Sequence, residues 1–177
     1  MIAIVGSRRA SIHGLRSAHL FARFLARAGA VVVSGLARGI DGAAYAGALA
    51  IGPRTVAVCG TGLDITYLKE RLALARAINR NGLLVSEFAP GVGPQAFHFP
   101  KRNRIIAALV SGVVVIEAAQ KSGSLITARF AADLGREVFA LPGPIDEPLH
   151  AGCHELIQQG ATLVCEPNEM LEDLNFL

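Results

Sequence analysis

A doubly wound α/β fold, with a mostly parallel sheet and helices on both faces, is predicted by three features of this 177-residue chain. Apolar runs such as Ile2-Ala3-Ile4-Val5, Val31-Val32-Val33 and Val113-Val114-Val115-Ile116 lack the polar alternation of a half-exposed strand, so each reads as buried on both sides. Each run leads into a turn and then a helical pattern, the rhythm that parallel strands joined by right-handed crossovers require. Hydrophobic residues make up 52% of the chain and charged residues only 18%, as a sheet covered on both faces demands. The architecture is Rossmann-like, and the length suits one domain over residues 1–177.

The elements follow in order. Strand Ile2–Val5 runs into Gly6-Ser7, and a helix from about Leu15 to Ala28 turns Ala18, Phe21, Ala22 and Leu25 inward. Its arginines, Arg16, Arg23 and Arg27, share the opposite face and read as solvated surface. Val31–Val33 opens Ser34-Gly35-Leu36-Ala37-Arg38-Gly39, followed by a small-residue helix from Ala43 to Ala50. Thr55–Val58 leads through Gly60-Thr61-Gly62 to a helix from about Leu68 to Asn79, with Gly82 as its C-cap signal. Leu83–Val85 opens a Pro/Gly loop from Ala89 to Pro100, and a helix from Arg102 to Leu109 precedes Val113–Ile116. A helix from Leu125 to Leu134 ends at Gly135 before Val138–Leu141. A helix near Glu155–Gln159, strand Thr162–Val164 and a short terminal helix complete the pattern.

The composition narrows the setting. Mean hydropathy is +0.45, yet the longest apolar run, Ile105 to Ile116, carries Ser111-Gly112 and falls well short of the roughly 20 residues of a membrane-crossing helix. Ser7-Arg8-Arg9 interrupts the N-terminal apolar segment too early for a signal peptide. Three cysteines without a CxxC pair fit a reducing cytoplasm. Met1 falls directly against the first strand, which suggests a minimal domain or a piece of a longer chain. The net charge of +3 is compatible with an anionic partner without naming one.

Position says more than net charge. Ligands of such sheets bind beyond the carboxyl ends of the strands. The turns there hold Ser7, Arg8 and Arg9; Arg38 and Asp41; Thr61 and Asp64; Glu87; Lys101, Arg102, Asn103 and Arg104; Lys121, Ser122 and Ser124. Seven of the seventeen Lys and Arg residues thus gather on one side. Gly6-Ser7-Arg8 is either an ordinary tight turn or a place where backbone meets phosphate. Ser34–Gly39 is neither a dinucleotide fingerprint nor a P-loop, and Asp41 after it either caps a helix or orients Arg38. Lys121-Ser122-Gly123-Ser124 offers N–H groups and hydroxyls at a helix start, for a phosphate or simply as a cap. Lys101, Arg102 and Arg104 at the opening of a helix oppose its dipole, a cost an anion offsets. Asn103 either reads a base edge or caps, and Phe97-His98-Phe99 either stack on bases or plug the core. The spacing of His150, Cys153 and His154 matches no zinc signature, and neither Glu87 nor Glu117 has an evident acid–base partner. No catalytic residue, metal site or cofactor is expected.

Five strings in order resemble the DprA/Smf family of bacterial DNA-processing proteins: Ile4-Val5-Gly6-Ser7-Arg8, Ser34 to Asp41, Phe99 to Ile106, Ser122 to Ala128, and Gly135 to Gly143. The resemblance reaches to about Val164. It implies a Rossmann-like domain that binds single-stranded DNA without strong sequence preference, forms a homodimer, protects incoming DNA in natural transformation and helps load the RecA recombinase. It implies no enzymatic activity and no cofactor. Carried over, Arg38, Lys101, Arg102, Arg104 and Lys121 would line a basic DNA pocket, with Arg8, Gly35, Gly39 and Asn103 in the adjoining matched strings. The turns Gly6-Ser7 and Ser122-Gly123-Ser124 would hold phosphates. Gly152-Cys153-His154 departs from the family's Gly-Thr/Ser-Asn turn, and the helical and winged-helix-like domains that flank this part in many members have no counterpart in the chain. Two other readings share the fold: a nucleotide-binding sensor or carrier, and a phosphoribohydrolase-like enzyme. The latter uses a Pro-Gly-Gly-x-Gly-Thr-x-x-Glu string that Ser122–Ala128 does not supply.

Overall fold

The apolar runs form seven strands: β1 (Ile2–Val5), β2 (Val32–Ser34), β3 (Thr55–Val58), β4 (Leu83–Val85), β5 (Gly112–Val115), β6 (Glu137–Ala140) and β7 (Thr162–Leu163). The computed structural model describes residues 1–52, 54–65, 70 and 72–174. Every described pairing is parallel, and the order is β4-β3-β2-β1-β5-β6-β7. Side chains alternate along each strand. Ile2, Ile4, Val32, Val114 and Phe139 face one helix layer, while Ala3, Val5, Val33, Val113, Val115 and Ala140 face the other. Both sides of the sheet are therefore covered, which is why its strands carry almost no polar residues.

The first layer includes α1 (Ile12–Arg27), α2 (Ile40–Leu49) and α7 (Pro167–Asp173), with α3 (Leu72–Asn81) beside α2 over Tyr45, Ala57 and Ile78. The second holds α4 (His98–Leu109), α5 (Gly123–Asp133) and α6 (Ala151–Gln158). Ala18, Phe21, Ala22 and Leu25 of α1 are buried, as their spacing predicts. None of the described helices is long and apolar enough to cross a membrane.

Some boundaries differ from the sequence reading: α1 and α2 each start about three residues early, at Ile12 and Ile40. Helix α4 starts at His98, a full turn before Arg102, because Pro100 at the third helical position has no N–H to lose from the hydrogen-bond ladder. Lys101, Arg102 and Arg104 therefore lie beyond the first three positions, and the conflict with the helix dipole is weaker than expected. Gly82 is not a left-handed cap, since its φ is not positive; instead it packs against the Thr55 backbone. Residues 68, 69 and 71, where α3 was expected to begin, lie outside the described residues.

The chain winds outward from β1 to β4, then crosses back to place β5 on the other side of β1. The loops after β1 and β5 consequently diverge, and the crevice between them is where such sheets take ligands.

Candidate nucleic-acid interface

Four loops build the crevice. After β1, the Ser7 N–H donates to the Glu117 carbonyl at 2.7 Å, joining the two loops at the switch point. The Ser7 hydroxyl accepts the Arg9 N–H at 3.1 Å, curling the turn so that Arg8 and Arg9 reach solvent. After β2, Asp41 folds its own loop: one carboxylate oxygen accepts the Gly35 N–H at 3.0 Å and the Ala37 N–H at 3.1 Å. Asp41 thus neither caps a helix through a neighbouring turn nor orients Arg38. Two amides of the phosphate-loop-like segment are already occupied. Gly39 has φ 69°, and a Cβ there would lie 2.2 Å from the Ser7 carbonyl oxygen, so only glycine lets the first two loops touch.

Arg102 is internal. It is 3% exposed, and its guanidinium donates to the carbonyls of Gly35 (2.5 Å) and Val58 and to Asn103 Oδ1 (3.2 Å). Burial lowers the guanidinium pKa and raises that of Asp41, while the opposite charges of the two groups partly offset both shifts. Asn103 Nδ2 donates to the Gly123 carbonyl at 3.1 Å, tying α4 to the start of α5. There the Ser122 hydroxyl accepts the Ser124 N–H at 3.4 Å and lies 2.9 Å from the Ser124 hydroxyl. Lys121, just before this cap, holds a left-handed φ of 61° and is exposed.

The resulting crevice has a volume of about 730 Å³. Nine of the expected residues line it: Gly6, Ser7, Arg8, Gly35, Arg102, Asn103, Ser122, Gly123 and Ser124. Arg38 lines an adjoining cavity of about 310 Å³, where Leu36, Cys59 and Leu84 supply an apolar wall. Lys101, Arg104 and Lys121 belong to neither lining among the described residues. Of the five cations expected to line one pocket, Arg102 thus lines both cavities, Arg38 lines the smaller one, and Lys101, Arg104 and Lys121 lie outside both linings. Arg38 pairs with Glu70 at 2.5 Å, Arg104 pairs with Glu87, and the Lys101 ammonium lies 5.7 Å from the Phe88 ring centre. Both ion pairs are solvent-accessible and contribute at most about 1 kcal/mol each.

Two contributors carry more weight than the sequence suggests. Arg9 lines both cavities beside Arg8, a doubling visible in Arg8-Arg9. Phe99 forms the wall the cavities share, with the Arg8 guanidinium 5.3 Å from its ring centre. Its neighbour His98 is buried, donating from Nδ1 to the Gly60 carbonyl at 3.2 Å and stacking on Phe88. Phe97 is exposed.

The remaining chemistry-bearing residues serve the fold. Glu117 is 1% exposed and accepts the Ser11 N–H at 2.9 Å together with the Ser11 hydroxyl, anchoring the start of α1. Cys153 packs in the core with its thiol pKa pushed up to about 12 by burial, and His154 Nε2 donates to the Gly143 carbonyl at 3.0 Å. No group of three metal-ligating side chains occurs among the described residues.

The chain resembles known proteins in sequence and fold. The chain is 52% identical over 176 residues to Protein Smf of Escherichia coli strain K12, covering 99% of this chain and 47% of that protein. It is 49% identical to the DNA processing protein DprA of Streptococcus pneumoniae, covering 99% of this chain and 62% of that one. The X-ray structure of the S. pneumoniae protein superposes with a TM-score of 0.92, covering 97% of this chain and 60% of the other. A Helicobacter pylori DNA processing protein A, described for its single-stranded DNA binding mode, superposes with a TM-score of 0.90 at 33% identity, covering 98% and 79% respectively. The chain therefore spans about half to three fifths of the curated relatives it matches. The sequence pattern of DNA recombination-mediator protein A matches residues 1–175, and with these identities it places the chain in that family.

Proposed function

We propose that the switch-point crevice binds single-stranded DNA through its phosphates, and that the domain serves recombination in natural transformation without itself being an enzyme. The observation that carries this reading is the charge of the crevice lining. Arg8 and Arg9 stand exposed at its mouth, Arg102 adds a buried positive charge, and Asp41, the one carboxylate of the lining among the described residues, is turned onto two amides. Phosphates approaching from solvent meet Arg8, Arg9 and the N-terminal end of α5, and bases have the Phe99 wall to lie on. Lys121 and Lys101 supply charge from outside the crevice. The H. pylori relative's described single-stranded DNA binding supports the choice of ligand. Protection of the strand, homodimer formation and delivery to RecA in the cytoplasm belong to the same proposal. Catalysis fits less well, because the Ser122 and Ser124 hydroxyls bond each other and both buried acids are held by structural donors.

A salt titration of fluorescent oligothymidine binding tests the reading. Each phosphate contact contributes a slope of about −0.7 in log K against log salt, so removing Arg8 and Arg9 together reduces the slope by about 1.4. Absence of binding, or binding that ignores salt, overturns it.

A further inference from the structure

The first forty residues contain six arginines (8, 9, 16, 23, 27 and 38) and no aspartate or glutamate. The other 137 residues therefore carry all the acid of a chain whose net charge is only +3. The fold does not disperse this excess. Between α1 and α2 runs an open groove of about 820 Å³, edged by Arg16, His19, Leu20 and Arg23 and floored by the small residues Gly42, Ala43 and Ala46. Arg8 and Arg9 line both this groove and the switch-point crevice, so the two are continuous.

We propose that a single strand bound in the crevice continues past Arg8 and Arg9 into the α1–α2 groove, where Arg16 and Arg23 hold its phosphates. The inference rests on the reading of the crevice as a single-strand site and extends its footprint. Arg16 and Arg23 are seven residues apart, two turns of one helix face and roughly 10.5 Å along its axis. Both are exposed, and neither has an ion-pair partner among the described residues, whereas Arg38 and Arg104 do. A solvated helix face ordinarily mixes both charge signs; α1 has no acid with which to quench these arginines. Ile12 and Leu20, 69% and 57% exposed, give bases an apolar surface beside the cations. The small floor residues leave the path unobstructed for a flexible backbone. Continuity with the crevice favours a strand over an acidic peptide, which would need no connection to Arg8 and Arg9.

The test uses the full chain, its Arg16→Ala/Arg23→Ala variant and the Arg16→Lys/Arg23→Lys variant, with oligothymidines of about 6 and about 20 nucleotides, one near the short end of common single-strand site sizes of about 4–16 nucleotides and one beyond the long end. On the long oligomer the alanine variant loses about 1.4 from the salt slope, equivalent to about 25-fold in affinity at 0.1 M salt from a 1 M reference. The short oligomer binds it like wild type, and the lysine variant restores the long-oligomer slope. A wild-type slope in the alanine variant overturns the proposal, as does a lysine variant that behaves like alanine. An unchanged DNA slope accompanied by lost affinity for a poly-glutamate peptide also overturns it and assigns the groove to an acidic protein. Failure of the wild-type chain to bind either oligomer instead sinks the reading of the crevice itself.

Discussion

Replacing Arg102 by methionine separates two roles that a surface arginine and an internal one never share. The side chain is similar in length and apolar, so the site stays filled while the guanidinium disappears. The carbonyls of Gly35 and Val58 then lose their donor, and Asp41 keeps a buried carboxylate without the opposing charge of Arg102. An orphaned buried acceptor costs about 1–3 kcal/mol. Removing one partner of a buried charge pair costs about 3–5 kcal/mol. The effects overlap, so a loss of about 4 kcal/mol is expected, which for a chain of this length lowers the melting temperature by roughly 8–16 °C. The pH dependence adds a signature. Burial already raises the folded-state pKa of Asp41 above its ordinary value of 3.8, and loss of Arg102 raises it further. A raised carboxyl pKa means stability is fully present below the unfolded value and is lost as pH rises through the folded one. The deficit of the variant should therefore shrink as pH is lowered from 7 towards 4, followed by thermal unfolding monitored by circular dichroism. An unchanged melting temperature together with weakened DNA binding would refute the argument, because it would mean that the guanidinium serves the ligand and not the loops.

Two further outcomes are expected. Phe99→Leu keeps an apolar wall but removes the ring; at about 1–3 kcal/mol per stacked base, it weakens oligothymidine binding by roughly 5- to 150-fold, measured by fluorescence anisotropy, and full affinity in the variant rules out stacking there. In alkylation at pH 8, exposed Cys165 is modified well before Cys153, whose buried thiol has its pKa pushed up to about 12; equal rates by mass spectrometry contradict the packing described.

Local sequence is most informative where short-range chemistry decides the outcome. Ile2–Val5 and Thr55–Val58 are strands at the residues their apolar runs mark, and Gly135, read as the end of the helix that is α5, has a left-handed φ of 66°. The start of α4 was less legible, because Pro100 reads as loop until one notes that a third helical residue needs no N–H bond. Nor does Arg102 differ from Lys101 or Arg104 in sequence. Helical geometry alone turns Arg102 inward, while Arg104 reaches Glu87 and Lys101 lies over Phe88. Asp41 looks like a cap residue because the amides it holds are in a loop whose path depends on Gly39 resting on Ser7.

The order of amino acids on its own determined a doubly wound parallel sheet and the gathering of cations beyond its strand ends, because buried strands and tight turns are written in neighbouring residues. Only the tertiary structure decided which of those cations remain open to a ligand. That choice depends on strand order and on contacts between residues far apart in the chain, such as Arg102 with Gly35 and Val58, or Ser7 with Glu117. Such contacts form only when the crossover from β4 to β5 sets the two halves of the sheet side by side, since no local preference distinguishes a charge that faces carbonyls from one that faces water.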